Sequence, residues 1–394
     1  MRVVSVVLDG AGLGGAPDAA AYGDAGADTL GHVVAQERPH LPHLAALGLG
    51  RVVPALGTPA LGTPALGTPE APRASWARLT ETAAGKDSTT GHWELAGLPL
   101  ATPFPTYPEG FPDEVIAAFC REAGVEGVLA NVPASGTAVI AAHGEAHQAT
   151  GYPIVYTSAD SVFQIAAHVD AVPLERLYAM ARAARERVCV GEHAVGRVIA
   201  RPFEGAPGAY ERLSHARRDF SLPPPGPTVL DALQAAGVRT VAVGKIGALF
   251  DGRGFDAALK TSGNADGLAR TLDMLGDAGG PPTFVWTNLV DFDELYGHRN
   301  DAPGFARALE AFDAALPALC AALAEDEALL ITADHGNDPT FPGTDHTRER
   351  VPLLLYRPGR PGRALGDGIF SDHAATVAAL FGVPYAGPGR SLLR

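Results

Sequence analysis

Short apolar runs recur along the chain, and each breaks off at a polar, acidic or glycine position. "VVSVVLD" ends at Asp9, "TFVWTNLVDFD" reaches Asp291 and Asp293, and "ALLITADHG" reaches Asp334. "VRTVAVGK" ends at Lys245, and "VPLLLYRPG" lies near the C-terminus. Continuous β-rich runs of this kind predict strands buried on both faces, hence a largely parallel sheet. Stretches with helical spacing stand between and after them, such as "GFARALEAFDAALPALCAALAEDE" and "DHAATVAALFG". Pro317 inside the first should kink or restart that helix. The alternation predicts an α/β fold, in which ligands gather beyond the carboxyl ends of the strands. Asp9, the Asp291/Asp293 pair and Asp334 fall at such ends.

The middle of the chain reads differently. From about residue 101 to about residue 221 proline and glycine punctuate heavily; "TPFPTYPEGFP" leads in and "SLPPPGP" leads out. A chain of 394 residues favours more than one core. The expected organisation is therefore a first domain made of 1–100 and 222–394, with a second domain, 101–221, inserted into it. The thrice-repeated "PALGT" from Pro54 to Thr68 is too short in period for a solenoid unit and reads as a surface loop.

Composition narrows the function classes. The formal net charge is -14, which argues against sequence-independent binding to nucleic acid or to an anionic membrane. Three scattered cysteines, Cys120, Cys189 and Cys320, offer neither zinc spacing nor a disulfide framework. "MRVVSVVLDG" does not read as a signal peptide and no run reaches transmembrane length, so a cytoplasmic protein is expected.

The densest chemistry lies in "TADHGNDPTFPGTDHT", where Asp334 and His335 follow a strand directly and His346 comes eleven residues after His335. "DFDELYGHRND" adds Asp291, Asp293 and His298. Carboxylates with imidazoles and no thiolate suit manganese, zinc or iron, and the oxygen-rich share favours manganese or magnesium. One Asp-His pair is more often a hydrogen-bonded cap than a ligand set. Acids at three strand ends, two of them with histidines, point instead to a dinuclear site.

Such a site gives a purpose to "GKDSTTGHWE". A serine hydroxyl is a poor nucleophile until a base or metal activates it. Between two cations it can attack phosphorus in line, and Ser88 is placed for that role. The bland alternative is that Ser88, Thr89 and Thr90 cap a helix. Both can hold, because a helix N-terminus also steadies phosphate. The glycines of "DGAGLGG", Gly10, Gly12 and Gly15, carry dinucleotide-binding spacing. Against that reading, Asp9 would repel a pyrophosphate and Pro17 interrupts the helix that should follow.

"GKDSTTGHWE", "NLVDFDELYGHR" and "TADHGNDPTFPGTDHTRE", with "GAPDAAAYGDAGADTLGH" and "YTSADSVFQIAAH", resemble the phosphopentomutase family of the alkaline phosphatase superfamily. The resemblance runs nearly end to end. It implies an alkaline-phosphatase-like core with a largely parallel sheet and an inserted α+β cap domain. It also implies two manganese ions and interconversion of ribose 1-phosphate and ribose 5-phosphate, with their 2-deoxy forms. By the family pattern Asp293, His298 and His346 would hold one metal, and Asp9, Asp334 and His335 the other. Ser88, where the family usually has threonine, would bridge both and carry the phosphoryl group; Asp291 would be structural. Ser158, Asp160, Arg197, Ile199 and Lys245 match positions that face the sugar phosphate. A bisphosphate such as glucose 1,6-bisphosphate would prime the enzyme. The nearer alternative is a phosphatase or phosphoglycerate mutase of the same superfamily; the farther is a non-enzymatic metal store.

Overall fold

The computed structural model describes residues 1–53, 71–158, 161–276 and 279–393. The repeat from Pro54 to Thr68, expected as a surface loop, lies outside them, as does Asp160. The chain divides into two compact units, Met1–Thr102 with Pro224–Arg394, and Pro103–Pro223.

The first unit is built on an eight-stranded sheet. Its spatial order is Ala257–Leu259, Arg239–Val243, Thr283–Leu289, Arg2–Leu8, Ala328–Thr332, Val351–Tyr356, Ala74–Thr80 and Gly368–Ile369. Pairing is parallel from Ala257–Leu259 through Ala328–Thr332. It turns antiparallel where Val351–Tyr356 joins Ala328–Thr332 and Ala74–Thr80. The central strands are buried on both faces, as expected of their mainly apolar runs. Register then fixes the chemistry: Leu8 lies beside Leu289, and Val7 beside Thr332. Asp9, Asp293, Asp334 and Lys245 all follow the carboxyl ends of these adjacent parallel strands.

Helix Ala302–Ala321 runs unbroken through Pro317, so the expected restart does not occur. Its apolar stripe, including Leu309, Phe312, Leu316 and Leu319, is buried, and that burial outweighs the hydrogen bond Pro317 cannot donate. After Arg2–Leu8 the chain turns at Gly10, whose φ is 75°, and the next helical turn is the short Ala19–Tyr22. No helix opens directly behind the glycines, and the dinucleotide reading falls with it.

The second unit carries a mixed sheet ordered Leu129–Pro133, Ile154–Thr157, Val162–His168, Arg197–Glu204 and Glu211–Arg212, with Arg218–Ser221 also paired to Arg197–Glu204. Phe111, Phe119, Phe163, Leu177 and Val198 share one core, built partly by helices Asp113–Ala123 and Leu174–Ala183. Helix Gly136–Thr150 contributes Val139 and Ile140 to a second, with Tyr156 and Phe203. The three cysteines are free. Among the described residues no helix is long and apolar enough to cross a membrane.

Candidate active site

The turn before Ser88 folds as a capping box. Asp87 accepts from the N–H groups of Thr89 and Thr90 at 2.9 and 3.2 Å, and Thr90 Oγ1 accepts from Asp87 N at 3.2 Å. Asp87 and Thr90 thus satisfy the start of helix Ser88–Leu95. The hydroxyl of Ser88 takes no part in the cap and is left for other partners. Gly91 lets this helix lie against the backbone of Asp334, because any Cβ there would collide with the Asp334 carbonyl.

Two groups reach the Ser88 hydroxyl from the strand ends. Lys245 Nζ donates to Ser88 Oγ at 2.9 Å and stands 2.7 Å from Asp9 Oδ2. His335 Nε2 lies 3.1 Å from Ser88 Oγ, 3.3 Å from Asp9 Oδ1 and 3.4 Å from Asp334 Oδ2. Asp9, Asp334 and His335 place one ligand atom each within 4.8 Å of one another. A second group, Asp293, His335 and His346, does the same. His298 adjoins that second group, with Nε2 3.3 Å from Asp293 Oδ2 and its ring centroid 4.7 Å from that of His346. Asp291 points elsewhere and accepts from Asn264 N at 2.8 Å.

The donor set suits a divalent cation. Asp9, Asp334 and His335 are buried, and both Asp9 oxygens and Asp334 Oδ2 accept no hydrogen bond of good geometry. His335 Nδ1 can donate to Gly336 O at 3.1 Å and His298 Nδ1 to Thr344 O at 2.6 Å, which turns each Nε2 toward the acids. The electrostatics agree. Burial opposes ionisation of Asp293 and Asp334, but the facing histidines and Lys245 outweigh it and hold both carboxyls below their ordinary range. Burial likewise opposes charge on His335, yet Asp334, Asp9 and Asp293 push it up to about 10.

A measurable consequence follows for metal binding. Near neutral pH the metal-free His335 carries a proton that it must lose to become a ligand. Metal binding should therefore release about one proton at this position, and affinity should rise about tenfold per pH unit below the His335 value. Calorimetry in buffers of differing ionisation enthalpy checks this. Binding enthalpies independent of the buffer would contradict it.

Residues that sequence reasoning passed over complete the surroundings. His92, fully buried, donates from Nδ1 to Ser88 O at 2.8 Å, with the same nitrogen 3.0 Å from Asp334 Oδ2. Asn337 Nδ2 donates to Asp293 Oδ1 at 2.6 Å. Glu349 accepts from Gly14 N, Thr29 N, Thr29 Oγ1 and Thr347 Oγ1, tying the loops that carry Asp9 and His346; burial pushes its carboxyl up to about 7. All three stand inside quoted motifs, His92 in "GKDSTTGHWE" and Asn337 and Glu349 in "TADHGNDPTFPGTDHTRE", but nothing local marks them as partners of the site.

The remaining expected positions lie in the second unit. Ser158 follows strand Ile154–Thr157. Arg197 and Ile199 share the strand Arg197–Glu204, where Ile199 is buried and Arg197 Nη1 stands 3.6 Å from Asp219 Oδ2. Asp160 lies outside the described residues.

Residues 1–385 match the family model described as the metalloenzyme superfamily. A phosphopentomutase of Caldanaerobacter subterraneus subsp. tengcongensis is 52% identical over all of this chain and 97% of its own. One from Anaeromyxobacter sp. (strain K) is 54% identical over 97% of this chain and 96% of its own. One from Deinococcus radiodurans is 51% identical over 99% and 98%. The solved structure of Leishmania mexicana phosphoglycerate mutase is similar in fold, with a TM-score of 0.50 and 15% identity over 98% of this chain and 97% of that one.

Proposed function

Because the chain belongs to the phosphopentomutase family of the metalloenzyme superfamily, we propose that it interconverts ribose 1-phosphate and ribose 5-phosphate, and the 2-deoxy pair, through phosphorylated Ser88. The observation that carries the mechanism is the hydroxyl left free by its own helix cap, 2.9 Å from Lys245 Nζ and 3.1 Å from His335 Nε2. In this reading Asp9, Asp334 and His335 hold one cation, and Asp293, His298 and His346 the other, manganese by the family pattern. When bound, such a pair would lower the pKa of the Ser88 hydroxyl and neutralise charge on the phosphoryl oxygens.

The protein's own groups then divide the work. Lys245 donates to Ser88 Oγ and so stabilises charge on that oxygen as its bond to phosphorus breaks. The N-terminus of helix Ser88–Leu95 adds its dipole to the same end. In the first half-reaction the Ser88 O–P bond breaks and a sugar O–P bond forms, and in net terms the proton of the sugar hydroxyl passes to the freed Ser88 oxygen. The product is a pentose bisphosphate. In the second half the other phosphoryl group passes to Ser88 Oγ, and the departing sugar oxygen regains a proton. The phosphoenzyme is restored and the sugar leaves as its isomer. A sugar bisphosphate such as glucose 1,6-bisphosphate supplies the first phosphoryl group. The setting is taken to be cytoplasmic.

Sugar recognition is assigned to Ser158, Asp160, Arg197, Ile199 and Lys245. A guanidinium can grip phosphate oxygens in a fork, and a carboxylate can accept from ribose hydroxyls. Replacing Arg197 by alanine should lower isomerisation at least about tenfold, or ~1.4 kcal/mol of transition-state stabilisation. Phosphate loss from phosphorylated enzyme to water should persist or rise. Both rates are read on the same preparation; if they fall together, Arg197 serves folding rather than the sugar.

The test of the proposed activity is a coupled assay of ribose 1-phosphate conversion with manganese and a sugar bisphosphate. Ribose 5-phosphate is the expected product. Release of inorganic phosphate without isomerisation would replace the mutase with a phosphatase.

A further inference from the structure

In the second unit a buried hydroxyl stands beneath the start of a helix with nothing to bond. Tyr156, on strand Ile154–Thr157, is fully buried, and its Oη has no hydrogen-bond partner among the described residues. A Cβ placed on Gly136 would lie 2.7 Å from Tyr156 Oη and 3.5 Å from Arg212 Nη1. Hydroxyl and guanidinium therefore both lie beside the first residue of helix Gly136–Thr150. Ser135 Oγ caps Ala138 N, and Ser135 O takes Val139 N. The N–H groups of Gly136 and Thr137 find no acceptor among the described residues.

The charges around this hydroxyl share one sign. Arg201, Arg212 and Arg217 are the cations whose field reaches Tyr156, where they pull against the effect of burial. Arg217 is held by Asp219 at 2.7 and 2.6 Å, and that carboxylate is also 3.6 Å from Arg197. Arg201 donates from Nε to Gln164 Oε1 at 2.7 Å. Neither Arg201 nor Arg212 has a carboxylate at ion-pair distance among the described residues. A fifteen-residue helix pointing its positive end at this point adds to the same potential.

We propose that this is a binding site for a phosphate group, held by Tyr156 Oη, the N–H groups of Gly136 and Thr137, and the Arg212 guanidinium. Arg201 and Arg217 supply further positive potential. Unpaired guanidinium, hydroxyl and helix N-terminus are the donors that match several oxygens on one multiply charged centre. The site does not depend on the role given to Ser88. The phosphate can belong to a sugar phosphate or to free inorganic phosphate, and the chemistry at Tyr156 is the same.

Tyr156→Phe deletes one oxygen that has no partner in the protein, so the fold is expected to tolerate it without loss. The experiment follows the Gly136 and Thr137 amides by NMR while inorganic phosphate is titrated into metal-loaded enzyme. A second arm uses ribose 5-phosphate with the Ser88→Ala enzyme, which cannot turn it over. Saturable shifts are expected, weakened about fivefold by Tyr156→Phe and at least about tenfold by Arg212→Ala. Shifts with ribose 5-phosphate, together with a raised KM and unchanged kcat in Arg212→Ala, assign the site to the sugar's phosphate. Shifts with inorganic phosphate alone assign it to the free ion. If neither compound moves these amides, or both variants titrate like the unaltered enzyme, there is no phosphate site here.

Discussion

Ser88→Ala should retain its metals and its fold while losing isomerase activity by at least about a thousandfold, ~4 kcal/mol of transition-state stabilisation. The physical reason is that the hydroxyl has no structural duty. Asp87 and Thr90 make the helix cap, so deleting Ser88 Oγ leaves the turn bonded as before. What it removes is the acceptor that Lys245 and His335 face. Ser88→Thr should stay within about tenfold of the unaltered enzyme, because a secondary hydroxyl offers the same nucleophile with one added methyl group. Steady-state rates and metal content on the three proteins check this. An alanine variant turning over at the normal rate would remove Ser88 from the reaction.

The second large effect concerns the metals. Asp334→Asn and His335→Ala should each lower activity at least about a hundredfold and weaken divalent-cation binding. His335 is the sharper case, since its Nε2 lies within 3.5 Å of Asp9 Oδ1, Asp334 Oδ2 and Ser88 Oγ. Without metal, the loss of His335 leaves Asp9 and Asp334 buried with less positive charge to face. Metal should therefore raise the melting temperature of the unaltered enzyme strongly and of His335→Ala weakly. Chelation should abolish activity reversibly. Manganese should restore it better than calcium, which prefers more oxygen ligands and longer bonds. Full activity after exhaustive chelation would contradict the dinuclear reading.

Much of this was legible in the chain because parallel strands write themselves plainly. "VVSVVLD" and "ALLITADHG" are mainly apolar up to their acids, and both became central strands paired on either side. Strand Ala74–Thr80 was not foreseen; its half-buried alternation gives a weaker signal than an unbroken run. The apolar run at Val351–Tyr356 gave no hint of its antiparallel direction, which depends on partners far away in the chain. The cap before Ser88 was legible only as a choice among hydroxyls, since local backbone geometry decides that Asp87 does the capping. Glu349 stayed hidden for a plainer reason. Its donors Gly14 and Thr29 lie more than three hundred residues earlier, and no local pattern joins them.

Pro317 shows the opposite case: the restart that the local rule allows does not occur, because the helix around it is buried. Lys245 sits between these cases. The resemblance placed it among the groups that face the sugar phosphate, and the structure sets its Nζ against Ser88 Oγ and Asp9. A lysine at a strand end carries no mark of which neighbour it will meet.

The central claim is that phosphoryl transfer passes through Ser88. The most direct measurement treats the enzyme with glucose 1,6-bisphosphate, locates the bound phosphate by peptide mass spectrometry, and then adds ribose 5-phosphate. The account predicts phosphate on Ser88 alone, discharged by the pentose phosphate faster than by water, with ribose 1-phosphate formed on continued turnover. Phosphate on another residue, or phosphoserine at position 88 that ribose 5-phosphate cannot discharge, would contradict it.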